Sequence, residues 1–84
     1  MNRKQKRTLD RICETPDRSD IPWKDIETLV LALGGEISEG RGSRVRIHLN
    51  GVRAVFHTPH PKRQAEKGAV RAMRRFLKEA EAIS

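Results

Sequence analysis

Between Arg44 and His57, apolar and polar side chains alternate on both sides of an Asn-Gly pair. Val45, Ile47 and Leu49 alternate with Arg44, Arg46 and His48; Asn50-Gly51 follows; then Val52, Ala54 and Phe56 alternate with Arg53, Val55 and His57. Successive side chains leave a strand on opposite sides, so a period of two marks a strand with one buried face. Asn-Gly is the strongest short hairpin signal, because both residues accept the positive φ that a tight type I′ turn needs. A two-residue turn pairs Leu49 with Val52, Ile47 with Ala54, Val45 with Phe56 and Arg44 with His57. Every apolar partner then falls on one side. A slip of one residue would bury the arginines, so the register is strongly specified. The opposite side carries Arg44 across from His57, Arg46 across from Val55 and His48 across from Arg53. That side is a basic, histidine-bearing surface.

The flanking segments supply what covers the apolar side. Asn2 to Glu14 reads as a basic helix with a thin apolar stripe of Leu9, Ile12 and Cys13. Thr15 to Asp20, with Pro16, reads as a loop. Pro22 suits the first turn of a second helix, where its missing N–H costs nothing. Ile26, Leu29, Val30 and Leu33 share a face of that helix, and Gly34-Gly35 ends it. A short strand is predicted over Glu36 to Glu39, and a turn over Gly40 to Gly42. Thr58 to Lys62, with Pro59 and Pro61, must leave the sheet. A last helix is predicted from about Gln64 to Ala82, with Ala65, Ala69, Ala72, Met73, Phe76, Leu77 and Ala80 on one face. Together these give an α+β domain in two layers, a three-stranded antiparallel sheet with helices on one face.

Eighty-four residues suffice for one domain, expected to span residues 1–84 with residues 1–15 as a basic helical extension. A core of this size leaves no room for a deep active-site cavern. Cys13 is the only cysteine, so no internal disulfide and no cysteine-rich metal site is expected. No stretch is apolar enough to span a membrane, and the basic start of the chain leads into no hydrophobic signal region. A cytoplasmic protein is therefore expected. Charge is segregated along the chain. Glu14 to Glu39 holds two basic and seven acidic residues, whereas Arg41 to Lys78 holds eleven basic residues against Glu66 alone. A basic half this dense is the footprint of a polyanion, and nucleic acid fits it best. A membrane surface fits less well, because the basic helix lacks a large aromatic face.

The stretch from Pro22 to Ala82 resembles the HicA toxins, small ribonucleases of HicA–HicB toxin–antitoxin systems. The likeness lies in the order of several features: an amphipathic helix ending in Gly34-Gly35, Gly42-Ser43 opening the middle strand, Pro59-His60 after the third strand, and Lys67-Gly68-Ala69-Val70-Arg71 starting the closing helix. The resemblance implies a fold like that of double-stranded RNA-binding domains. It implies endonucleolytic cleavage of messenger RNA, arrest of translation as part of a stress response, and neutralisation by a HicB-like antitoxin. It also implies a catalytic histidine after the Gly-Ser step, a position held here by Arg44. Arginine stays protonated and cannot act as a general base. It can hold a phosphate bidentately and stabilise charge building on it.

Histidine is the natural general acid–base group for cutting RNA, with its ordinary pKa near working pH. In a metal-free, cofactor-free mechanism it would take the proton of the 2′-hydroxyl that attacks the adjacent phosphate. The register makes His57 the first candidate, with Arg44 as its catalytic companion. His48 shares the face, and His60 matches the Pro-His step. Arg41, Ser43, Arg46, His48, Arg53, His60 and Lys62 are expected to contact RNA. The plainer reading of each histidine is a surface polar residue on a phosphate-binding face. His57-x-x-His60 offers too few ligands for a structural zinc. Ser43 lacks the base and orienting group of an activated nucleophile, and its hydroxyl is expected at most to touch phosphate. Trp23 is expected to pack beside Ile26 at the helix start. A non-catalytic RNA-binding module on the same fold remains as an alternative. So does an interaction protein whose basic face only receives an acidic partner.

Overall fold

A computed structural model of the chain describes residues 1–60 and 62–83. The elements run α1 (Arg3–Ile12), β1 (Ile21–Pro22), α2 (Trp23–Ala32), β2 (Glu36–Glu39), β3 (Arg44–Leu49), β4 (Val52–His57), β5 (Gln64–Ala65) and α3 (Lys67–Glu79). The architecture is α+β, compatible with a double-stranded-RNA-binding-domain-like fold. β2, β3 and β4 form an antiparallel sheet in that order. α2 lies against β2 and α3 against β4, while α1 packs on both helices.

The hairpin has the predicted register throughout, from Leu49 opposite Val52 to Arg44 opposite His57. Asn50 (φ 50°) and Gly51 (φ 82°) are both left-handed, as a type I′ turn requires. Val45, Ile47, Leu49 and Phe56 are buried, and their outward neighbours Arg44, Arg46, Arg53 and His57 are exposed. Phe56 is the hub of the core. Its ring centroid lies 5.9 Å from that of Trp23 and 6.2 Å from that of Phe76, the latter edge-on. Such pairs add to the hydrophobic gain of burying the rings. Trp23 is thus a core residue, as its position beside Ile26 suggests.

α2 ends in a Schellman motif: Gly35 N–H donates to the Val30 carbonyl and Gly34 N–H to that of Leu31. The two glycines serve different needs. Gly34 takes the left-handed conformation (φ 92°), whereas a Cβ on Gly35 would lie 2.6 Å from Val30 Cγ1 and 2.9 Å from the Val30 carbonyl oxygen. Only glycine lets the chain turn this tightly from α2 into β2. The end of α3 repeats the motif without glycine, with Glu81 at φ 58° and Ala82 N–H donating to the Leu77 carbonyl.

The structure corrects several expectations. The last helix begins at Lys67 rather than Gln64, because Gln64 and Ala65 pair with Pro22 and Ile21 in a two-stranded bridge. Pro22 accordingly precedes α2 as its cap rather than opening its first turn. Val70 is fully buried and Ala72 exposed, so the buried face of α3 is Val70, Met73, Phe76, Leu77 and Ala80. Leu9 and Ile12 of α1 join the core, but Cys13 is exposed. Thr8 is buried instead, its hydroxyl satisfied by the Lys4 carbonyl at 3.0 Å. The chain leaves β4 at Thr58 and Pro59 as expected; Pro61 and Ser84, which those expectations also included, lie outside the described residues.

Two side chains close helix ends across the molecule. Arg74 of α3 donates from Nε to the Ile12 carbonyl (2.8 Å), and from Nη2 to Asp17 Oδ1 (2.6 Å). Arg71 joins it, donating to Asp17 Oδ2 at 2.9 Å. This clamp satisfies a carbonyl at the end of α1 and pins the loop that follows. At the other end of α3, Asn50 of the hairpin turn donates from Nδ2 to the Ala80 carbonyl at 2.8 Å.

Asn50 therefore both shapes the turn and caps a helix. Asn50→Gly keeps the left-handed backbone and loses only the hydrogen bond, and should cost about 1 kcal/mol in urea unfolding. Asn50→Asp should cost more, because a carboxylate cannot donate and sits at the negative end of the helix dipole. Equal midpoints for both variants and wild type would remove the cap from the account.

Asp17 is held below the ordinary carboxylate range, first by its hydrogen bond with Arg74 and next by that with Arg71. A depressed folded-state pKa contributes stability above the unfolded value and loses it as pH falls through the folded one. The clamp should act in full at neutral pH and release only in acid below the usual value of 3.8. Asp17→Asn should lower the urea midpoint at pH 7, with the gap to wild type narrowing as the pH drops below that value. A gap that persists unchanged in strong acid would contradict this.

Candidate nucleic-acid interface

The outer face of the sheet is built by the pairing pattern. Thr58 N–H donates to the Ser43 carbonyl at 2.8 Å, which makes Ser43 and Thr58 a hydrogen-bonded pair just beyond the hairpin's last rung. Antiparallel pairs alternate between hydrogen-bonded and non-hydrogen-bonded, and in the latter the side chains stand closer. Arg44 with His57, Arg46 with Val55 and His48 with Arg53 are therefore all close pairs. The same strand alternation that buries Val45, Ile47 and Phe56 thus crowds the polar residues together on the other side.

β2 extends these rows outward. Glu36 stands beside His48 and Ser38 beside Arg46. A shallow hollow on this face is lined by Glu36, Ser38, Arg46, His48, Arg53 and Val55. Glu36 was not among the residues singled out from sequence, since a four-residue strand gives little alternation to read. It places one carboxylate in an otherwise basic surface. Val55 is 58% exposed, an apolar patch between the arginines.

A second, larger groove opens where β4 ends. His57, Thr58, His60, Lys62, Gln64 and Lys67 line it together with two carboxylates, Asp20 and the α3 N-cap residue Glu66, so the structure brings His57, His60 and Lys62 together. The first turn of α3 borders this groove at Lys67, Gly68 and Ala69, with no side-chain cap and no acidic residue in that turn. Such a turn presents backbone N–H groups to an anion. The sequence hint was the small residue at Gly68, but placing the turn against β4 needed the β1–β5 bridge. Ser43 and Arg44 meet the groove through His57: Ser43 Oγ lies 3.5 Å from His57 Nδ1, and Arg44 is the cross-strand neighbour of that ring. Arg41 sits apart in the turn before β3 and lines neither hollow.

Among the described residues, Arg41, Arg44, Arg46 and Arg53 make no ion pair, whereas Arg71 and Arg74 are engaged by Asp17. The sequence count of basic residues therefore overstates the free charge of α3 and describes the sheet face well. No group of three or more His, Cys, Asp or Glu side chains converges among the described residues. No helix among them is long and apolar enough to cross a membrane.

Comparison with known proteins gives one finding. The sequence model of the family described as "HicA toxin of bacterial toxin-antitoxin" matches residues 23–82, from the start of α2 to just past α3. No significant match is found among curated proteins or among solved structures. The matched segment holds the whole three-stranded sheet, both helices that cover it, the smaller hollow and all of the larger one except Ser19 and Asp20, and leaves α1 outside. The chain belongs to the HicA toxin family of bacterial toxin–antitoxin systems.

Proposed function

We propose that this protein is a cytoplasmic toxin that cuts messenger RNA without a metal or cofactor, and that a HicB-like antitoxin covers its sheet face. The observation that carries this reading is the close pair of Arg44 and His57 at the mouth of the groove, with Ser43 beside the ring. In this reading His57 accepts the proton of a ribose 2′-hydroxyl. The 2′-oxygen attacks the adjacent phosphorus, the bond to the 5′-oxygen breaks, and that oxygen takes a proton from water or a protonated group nearby. Arg44 holds the phosphate and offsets the charge that builds on its oxygens. Ser43 orients the histidine ring. Arg46, His48, Arg53, His60 and Lys62 hold the backbone on either side, with Arg41 reaching it from the turn. Recognition rests on phosphate charge and shape, since the large aromatic rings are in the core and offer no stacking platform.

The presence of Arg44 after the Gly-Ser step favours one second reading, an RNA-binding module that no longer cuts. The two differ in one assay. Purified protein in chelator should cleave RNA, and His57→Ala should reduce the rate by about 10²-fold or more while leaving RNA affinity nearly unchanged. Undiminished cleavage by His57→Ala would remove His57 from the mechanism. Binding without any cleavage by wild type would leave the module reading.

The antitoxin would meet exposed arginines around Val55. A partner with acidic residues and a small apolar pocket fits that surface, and its association should be fast and salt-sensitive. Co-expression with the neighbouring reading frame should give a complex, and Val55→Asp should weaken it by about tenfold or more, roughly 1.4 kcal/mol. A complex indifferent to Val55→Asp would place the antitoxin elsewhere.

A further inference from the structure

We infer that α1 is a second RNA-contacting surface, which holds the phosphate backbone on the helical side of the molecule, away from the sheet face. The inference rests on the RNA-directed reading above and adds a surface outside the segment that the family model matches.

The charge pattern of α1 works against the helix that carries it. Arg3, Lys4, Lys6, Arg7 and Arg11 stand against Asp10 alone in ten residues. Arg3, Arg7 and Arg11 follow one another at a spacing of four, where like charges are neighbours on the helix surface and repel. Arg3 and Lys4 occupy the first turn, at the positive end of the helix dipole, and that turn holds no acidic residue. The helix is instead held by an Asn2–Gln5 capping box and by Thr8, Leu9 and Ile12 against the core. The basic residues contribute little to that packing. Arg3, Lys6 and Arg7 are exposed and make no ion pair among the described residues; Lys4 reaches Asp25 at 3.5 Å.

Arg3, Lys6 and Arg7 form a patch of positive charge that no ion pair of the described residues uses and that opposes its own helix, and such a patch calls for an external anion. The apolar residues of α1 face inward, so the outer face has nothing to insert into a lipid bilayer. It is a charge stripe alone, which suits a phosphate backbone. α1 packs on α2 and α3, the helices that cover the inner side of the sheet. The molecule spans no more than 31 Å along any principal axis, so one RNA can reach both surfaces.

The test is RNA binding as a function of salt, followed by fluorescence anisotropy of a labelled single-stranded RNA. It is run in the His57→Ala background so that the RNA stays intact. Neutralising Arg3, Lys6 and Arg7 together to Gln should flatten the dependence of log K on log salt by about 2, at roughly 0.7 per phosphate contact on a single strand. Keeping the charge, with Arg3→Lys and Arg7→Lys, should leave the slope as in the parent. The thermal midpoint of the Gln variant should hold or rise, since repulsion is relieved. An unchanged slope in the Gln variant, while Arg46→Gln with Arg53→Gln reduces it, would overturn this inference and leave the sheet-face reading standing. Salt-independent RNA binding by the parent protein would overturn both. A fall in midpoint would show that the charges serve the fold, and loss of binding only to anionic phosphatidylserine vesicles would make the stripe a membrane contact; either overturns the inference.

Discussion

Two left-handed residues, Asn50 and Gly51, set the geometry on which the rest of the domain is built. They close a turn that admits one register, and that register assigns every side chain of β3 and β4 to a face. The inner face receives Phe56, against which Trp23 packs from the start of α2 and Phe76 from the last turn of α3. The outer face receives the arginines and histidines in their closest cross-strand arrangement. Burial and surface chemistry are thus two results of one constraint. Crowding like charges on the outer face is unfavourable by itself, and the burial on the inner face is what offsets it. The turn is also fastened to the far end of α3 through Asn50 and Ala80, so the sheet and its covering helix share an anchor at that end.

At the opposite end the design is looser and depends on charge. In the acidic stretch between Glu14 and Glu39, four of the seven carboxylates are used in place, while Glu36 reaches the outer face of the sheet. Asp17 draws in Arg71 and Arg74, Arg18 lies between Glu14 and Asp20, and Asp25 meets Lys4. Arg74 matters most of these, because it is partly buried and also bonds the Ile12 carbonyl. Through it the loop after α1 and the middle of α3 become one unit, and α1 is held to a body whose sheet it does not touch closely.

What could be read from the chain was the part whose signals are local. The hairpin, the face of α2 and the Gly-Gly stop each lie within fourteen residues, and pattern alone fixes them. The bridge between Ile21–Pro22 and Gln64–Ala65 could not be read, because two-residue strands carry no periodicity and their partners are far apart in sequence. Missing it shifted the start of α3 by one turn and hid the bare first turn beside His57. The role of Arg74 was invisible for the same reason: its partners are some sixty positions away, and a count of charges treats every arginine alike. Of the candidate residues, the arginines and histidines of β3 and β4 could be assigned to their face and given partners. His60 and Lys62 could not, since a loop with prolines has no register to follow.

The larger hollow is an open trough on the protein's skin, bordered by a strand end, a loop and a helix start. Among the described residues no segment lies over it. The chemistry proposed for the trough is open to solvent in the isolated molecule. On the proposed reading, restraint has to come from outside: something must physically occupy the surface, and activity then follows the supply and survival of that occupant rather than any change of shape in this chain.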